Sequence, residues 1–146
     1  ESSNRRLLGY RDSLKNADLP IDEQLIASGD YTTETGISCS RALLSLPDRP
    51  TAIFASNDQM AMGVFQVAEE MGLRIPEDLS LVGFDNIPES KFLGLTTVDQ
   101  FISDMGYMAT QMLIKIINGI PLDQQTYRMQ TRLVIRNSCR ALSDAS

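Results

Sequence analysis

The stretch PTAIFASNDQMAMGV, residues 50–64, contains the pattern that decides the fold. Residues 51–55 form an apolar run without alternation, which is typical of a parallel β-strand covered by helices on both faces. After a polar turn, apolar side chains recur at helical spacing. They are Met60, Val64, Val67 or Ala68, and Met71. The stretch therefore predicts a strand, a turn and a helix with one buried stripe.

The boundaries of this helix are marked by two residues. Asp58 is placed to cap its first turn, and Gly72 can supply the left-handed residue that closes it. The polar turn before the helix therefore lies directly at the end of the strand.

Further segments on both sides alternate between strand-like and helix-like patterns. Strands are predicted at residues 25–28, 79–84 and 132–136, and helices at residues 5–16, 33–44 and 103–118. Residues 95–98 are interpreted as part of a connector. This alternation predicts the α/β class, with a parallel sheet flanked by helices and right-handed crossovers.

Composition limits the function classes. The chain of 146 residues has 42% hydrophobic and 22% charged residues, as expected for one globular core. Its formal net charge of −6 opposes binding to a phosphate backbone, so these residues alone are not expected to bind DNA. Cys39 and Cys139 are far apart in sequence, which favours reduced thiols and a cytoplasmic protein. No membrane partner is expected.

Enzymatic chemistry has little support. The chain has no histidine, the commonest general base and transition-metal ligand. It also lacks both glycine-rich phosphate-binding patterns. We therefore expect no enzyme, no cofactor and no metal site. A phosphoacceptor domain using Asp85 is a remote alternative, because Lys91 is the only nearby lysine and is predicted to lie on a loop.

Polar residues follow each of the first three predicted strands, where open α/β sheets bind ligands. They are Asp30 and Tyr31, then Asn57 and Asp58, then Asp85 and Asn86. Asp30 and Asp58 are assigned to a turn and a helix cap. Asp85 can accept from hydroxyls, Asn57 can donate and accept, and Tyr31 offers a flat ring face, so a sugar fits the set. For Asn57 and Tyr31 a purely structural role is equally compatible with the spacing.

Several motifs together resemble the LacI/GalR family of bacterial transcriptional regulators. They are PTAIF at 50–54, NDQMAMG at 57–63, GLRIPEDLSLVGFDN at 72–86 and LTTV at 95–98. The resemblance extends from RLLGY at 6–10 to LVIR at 133–136. It implies a periplasmic-binding-protein-like type I fold and a two-lobed sensor that binds an effector between its lobes. The resemblance also implies that this sensor controls DNA binding by an N-terminal helix-turn-helix headpiece, which is absent from this chain.

The resemblance also assigns regions. Residues 1–100 correspond to most of the C-terminal lobe, residues 101–130 to a crossover helix belonging to the N-terminal lobe, and residues 131–146 to a return strand and tail. Effector-contacting positions are Arg6, Tyr31, Asn57 and Asp85. Candidate homodimer contacts are Met62, Phe65, Gln66 and Phe92, with core packing as their alternative explanation. A transport-associated periplasmic sugar-binding protein is the alternative function.

Overall fold

The computed structural model of the protein describes residues 2–141, so the predicted tail at 142–146 lies outside the described residues. Five helices are described: α1 (Ser2–Asn16), α2 (Thr33–Leu44), α3 (Asp58–Glu70), α4 (Pro88–Phe92) and α5 (Ile102–Ile117). The strands are β1 (Ala52–Phe54), β2 (Ser80–Val82), β3 (Thr97–Asp99) and β4 (Arg132–Val134). The predicted helices at 5–16, 33–44 and 103–118 are confirmed to within a few residues. The short α4 was not predicted.

The sheet is parallel at its centre and antiparallel at one edge. β1 pairs with β2 in parallel, and parallel bridges from Val82 to Thr96 and from Asp85 to Asp99 place β3 beside β2. β4 pairs antiparallel to β3 and begins opposite Asp99, where β3 ends. Predicting a parallel direction for this last strand was therefore wrong. The chain re-enters the sheet at the end where it left, so β4 must run back along β3. Residues 96–98 of the predicted connector belong to the sheet, because Thr96 bridges to Val82 and β3 begins at Thr97.

The strand predicted at residues 25–28 is absent from the described structure. A short 3-10 helix, Glu23–Leu25, occupies its start, because the side chain of Asp22 accepts a hydrogen bond from the backbone N–H of Gln24 at 2.9 Å. The residues that follow are not paired with β1. A cavity of about 270 Å³ is lined by residues 25–29 and 52–56, together with residues of α1 and α2.

The core is built around α3 and the strands. Of the predicted stripe, Met60, Val64, Val67 and Ala68 are buried, while Met71 is 40% exposed because it lies past the last turn of α3. Gly72 has the left-handed backbone predicted for it, with φ +69°. Further members of the core are Leu79, Leu81 and Leu95, which are fully buried. These contacts fix α3, and with it the polar turn that precedes it.

Helix α5 has a different environment. None of its residues is buried within the described part of the chain, and Tyr107 and Ile117 are 65% and 73% exposed. Of its predicted apolar face, Met105, Ala109 and Ile116 are exposed and Met108 and Met112 are half-buried, so residues 2–141 cover this face only in part. Within residues 2–141, no helix combines the length and the hydropathy of a membrane-spanning segment.

Candidate functional site

The ends of the three parallel strands meet at one edge of the sheet. The backbone N–H of Asp58 donates to the carbonyl of Phe84 at 2.8 Å, and that of Asp85 donates to the carbonyl of Val98 at 2.9 Å. The turns after β1, β2 and β3 are therefore tied together, as the ligand-binding edge of an open α/β sheet requires.

Arg6 of α1 lies across this edge. Its Nη1 donates to the carbonyl of Ser56 at 2.6 Å, and its Nη2 is 3.9 Å from Oδ1 of Asp85. The guanidinium carbon lies 4.0 Å from the ring centroid of Phe84 and 5.9 Å from that of Tyr31, so cation–π attraction adds to the hydrogen bond. Its side chain is only 14% exposed. Arg6 thus connects α1 to the ends of β1 and β2.

Asp85 has an unusual backbone and a shifted pKa. Its φ of +117° is uncommon for a residue other than glycine. Burial raises the pKa of its carboxyl, the positive charge of Arg6 and a hydrogen bond from Gln100 oppose this, and the nearby carboxylate of Asp58 adds to the rise. Arg6 and Gln100 both approach Oδ1. The carboxylate therefore faces two donors at the strand edge.

Asn57, not Asp58, caps α3, so the cap predicted at Asp58 was wrong. The Oδ1 atom of Asn57 accepts from the backbone N–H of Met60 at 2.9 Å. Asn57 has extended backbone angles, as an N-cap residue requires, whereas Asp58 is already the first residue of the helix. The Nδ2 atom of Asn57 donates to the carbonyl of Tyr31 at 2.9 Å. Its side chain thus joins the loop before α2 to the start of α3.

Asp58 is fully buried and links other elements. Its Oδ1 accepts from Oγ1 of Thr97 at 2.6 Å, and its Oδ2 accepts from the backbone N–H of Ile87 at 3.0 Å. It therefore joins α3 to β3 and to the start of α4. The assignment of Asp58 to a structural role agrees with these contacts, although the role is not that of a cap.

The predicted effector residues divide into two groups. Arg6 lies between Tyr31 and Asp85 and approaches both, whereas Asn57 is 7% exposed and bonded to the backbone of Tyr31. The cavity of about 270 Å³ is lined by Arg6 and Tyr31 but not by Asn57 or Asp85. Of the four predicted effector residues, only Arg6 and Tyr31 therefore line this cavity, while Asp85 approaches Arg6 at 3.9 Å from the strand edge.

Gln100 is a site residue that the sequence reasoning missed. It lies directly after β3, and its Nε2 donates to Oδ1 of Asp85. A strand prediction at residues 95–98 would have indicated Gln100, because polar residues at the carboxyl ends of strands are the candidates for ligand contacts.

The candidate dimer residues lie on α3 and α4. Met62 and Phe65 are half-buried, and Phe65 packs against the core. Gln66 is exposed and donates to Glu70 at 3.0 Å, while Phe92 is 88% exposed.

Comparison with known proteins places this geometry in a family. A family model described as periplasmic binding protein-like domain matches residues 1–139. The HTH-type transcriptional repressor CytR of Escherichia coli K12 is 40% identical over 139 residues, which cover 94% of this chain and 41% of CytR. The chain thus spans about two fifths of the length of the curated relatives it matches.

Solved structures of transcriptional regulators are also similar to this chain. The transcriptional regulator LacI of Bacillus cereus subsp. cytotoxis NVH 391-98 superposes with a TM-score of 0.88 at 29% identity, covering 97% of this chain and 51% of that one. The transcriptional regulator CelR, in complex with cellobiose, gives a TM-score of 0.81 at 33% identity over 91% of this chain and 41% of that one. The chain therefore belongs to the periplasmic binding protein-like domain family, and it is part of an effector-binding domain of the LacI/GalR type.

Proposed function

We propose that the chain forms most of the C-terminal lobe of the sensor of a LacI-type transcriptional regulator, and that it binds a sugar at Arg6, Tyr31 and Asp85. The observation that carries the proposal is the position of Arg6, which approaches the carboxylate of Asp85 and the ring of Tyr31 at the edge where three strands end. The similarity to CytR and to the cellobiose-bound regulator supports it.

The chemistry of these three side chains suits a polar ring. A carboxylate accepts from two neighbouring hydroxyls, a guanidinium donates to hydroxyl oxygens, and an aromatic face covers the C–H groups of a pyranose. Tyr31 is 38% exposed, so part of its side chain is accessible. Asn57 is proposed to act through Tyr31, because its Oδ1 and one amide hydrogen already bond to the protein.

Regulation follows from the two-lobed architecture. We assign residues 1–100 to the C-terminal lobe, residues 101–130 to the crossover helix of the N-terminal lobe, and residues 131–141 to the return strand. The exposed apolar side chains of α5 support this division, because a large apolar patch is commonly covered by further protein. An effector that binds the closed sensor more tightly shifts the population towards closure.

The partners of the whole protein are proposed accordingly. The sensor forms a homodimer in the bacterial cytoplasm, and a helix-turn-helix segment outside these residues contacts DNA. The formal charge of −6 supports a DNA contact made elsewhere. No catalytic step is assigned to any residue.

The test is a thermal-shift screen of the intact regulator against glucose, galactose, ribose and cellobiose. At least one sugar should raise the melting temperature, and Asp85→Ala and Tyr31→Ala should each strongly reduce that rise without unfolding the protein. Asp48→Ala, at an exposed position away from the site, is the matched control. Unchanged shifts in both site variants would remove these residues from the site, and no shift with any sugar would refute a sugar effector.

A further inference from the structure

The loop before α2 holds Tyr31 in a conformation that L-residues rarely adopt. Its φ is +72°, and such a left-handed backbone costs free energy in a residue other than glycine. A loop that keeps this conformation must be fixed by its surroundings, and the side chains of Asp30 and Asn57 supply two such contacts.

The first contact comes from Asp30, which immediately precedes Tyr31. Its Oδ1 accepts from the backbone N–H and the Oγ1 of Thr32, at 3.1 and 2.6 Å, and from Oγ1 of Thr35 at 2.7 Å. Thr32 is the N-cap residue of α2 and Thr35 lies in its first turn. Asp30 therefore bonds across Tyr31 to Thr32, and it also bonds to Thr35 in the first turn of α2.

The second contact comes from Asn57. Its amide donates to the carbonyl of Tyr31, while its Oδ1 caps α3. The peptide that follows Tyr31 is thus fixed from outside the loop, by a helix whose position the buried core determines. With both contacts in place the ring of Tyr31 lies near Arg6.

We infer that Asp30 and Asn57 are positioning residues that hold the Tyr31 backbone in its left-handed conformation, so that the ring is oriented for the effector before binding. This inference rests on the proposed function, since it takes the Tyr31 ring as an effector contact. Neither residue needs to touch the effector itself. Their removal should weaken binding by releasing Tyr31 into its commoner conformations.

A measurement without ligand tests the backbone part. In the intact regulator, NMR backbone ¹³C shifts and φ-sensitive couplings of Tyr31 should report the left-handed conformation, and Asp30→Ala should remove it. Asp22→Ala is the matched control, because Asp22 makes the same kind of bond, to the backbone N–H of Gln24, at another turn. If Asp30→Ala leaves the Tyr31 values unchanged, the inference is wrong. Thr35→Val removes one donor to the Asp30 carboxylate and the acceptor of the Asp30 backbone N–H, and it gives a second variant should Asp30→Ala unfold.

For Asn57 the informative change is Asn57→Ser. Serine is also a good N-cap residue, so α3 stays capped while the amide donor to Tyr31 is lost. Tyr31 should again leave the left-handed region while the melting temperature stays close to that of the unaltered protein. Retention of the Tyr31 conformation in Asn57→Ser would overturn the role given to Asn57.

Binding provides the second readout, with the sugar that gives the largest thermal shift in the screen above. Asp30→Ala should raise its Kd about tenfold, as expected for release of one strained conformation, and Asp30→Asn should restore most of the affinity. In a Tyr31→Ala background, Asp30→Ala should cause no further loss, because it acts through Tyr31. An equal further loss there would refute the inference. A screen in which no sugar binds would refute the sugar proposal alone, since the NMR result decides the conformation independently.

Discussion

Gly36 and Gly63 meet where α2 crosses α3. A Cβ atom added to Gly63 would lie 2.7 Å from the carbonyl carbon of Gly36 and 2.5 Å from the backbone nitrogen of Ile37. Because the obstructing atoms belong to the backbone, the two helices could accept a methyl group only by separating. The close packing also fixes the distance between the loop of Tyr31 and the cap of Asn57, which begin these helices.

The first prediction follows from this contact. Gly63→Ala should lower the free energy of unfolding by about 1–3 kcal/mol, because the overpacking outweighs the better helix propensity of alanine. Gly9→Ala in α1 is the control, since nothing lies within 4 Å of the added Cβ, and it should leave stability unchanged or raise it by up to about 1 kcal/mol. Urea unfolding monitored by circular dichroism measures both. Equal effects of the two substitutions would contradict the role given to the crossing.

Buried Asp58 gives the second prediction. Asp58→Ala removes the acceptor for the hydroxyl of Thr97 and for the backbone N–H of Ile87, so two donors lose their partner. An unpaired buried donor costs about 1–3 kcal/mol, and a decrease of this size or larger in the free energy of unfolding is expected. Asp48→Ala, at an exposed position, should change it by less than about 0.5 kcal/mol. A stable Asp58→Ala protein would show that the network contributes little.

The parts of the fold that the sequence predicted are those determined by neighbouring residues. The stripe of α3 and the closing residue Gly72 depend on periodicity and local backbone preference, and both were found. A helix cap must be predicted to within one residue, and the cap of α3 was predicted at Asp58, whereas the structure has it at the adjacent Asn57. The direction of β4 depends on the path of the chain after α5, which residue patterns do not encode.

The site shows the same division. Tyr31, Asn57 and Asp85 were found because each follows an apolar segment, which is a local signal. Arg6 contacts Ser56, 50 residues away, and only the family resemblance indicated it, because nothing in its own helix distinguishes it from a solvated arginine. Gln100 was missed because the strand before it was interpreted as a connector.

The third prediction concerns pH. Burial raises the pKa of Asp85 in the folded protein, so its ionised form is disfavoured relative to the unfolded chain. The resulting loss of stability is absent below the unfolded pKa of about 3.9, grows as the pH rises towards the folded pKa, and is constant above it. Asp85→Asn should therefore be more stable than the unaltered protein at pH 7 and equal to it near pH 3.

Urea unfolding at both pH values measures this difference. Asp48→Asn, the same change at an exposed position, is the control. If Asp85→Asn is less stable than the unaltered protein at pH 7, the attraction of Arg6 and Gln100 exceeds the cost of burial. The direction of the pKa shift would then be the reverse of that described above.

The last prediction tests the proposed dimer. Phe92 at the end of α4 is 88% exposed, and burial of this ring against another subunit would contribute favourable free energy. Phe92→Ser should weaken dimerisation of the intact regulator at least about tenfold, because buried aromatic residues dominate interface energies. Sedimentation equilibrium measures the dimer dissociation constant. Leu19→Ser, at another exposed apolar position, should leave it unchanged.

A substitution at Phe65 distinguishes a role in the dimer interface from packing within one subunit. It is half-buried against the core, so Phe65→Ser should lower the free energy of unfolding of the subunit itself, whereas Phe92→Ser should not. Dissociation caused by Phe92→Ser without loss of subunit stability would therefore locate the dimer contact on α4. If the Phe92→Ser protein still dimerises as before, the interface does not include α4. The exposed ring of Phe92 would then contact a different partner surface.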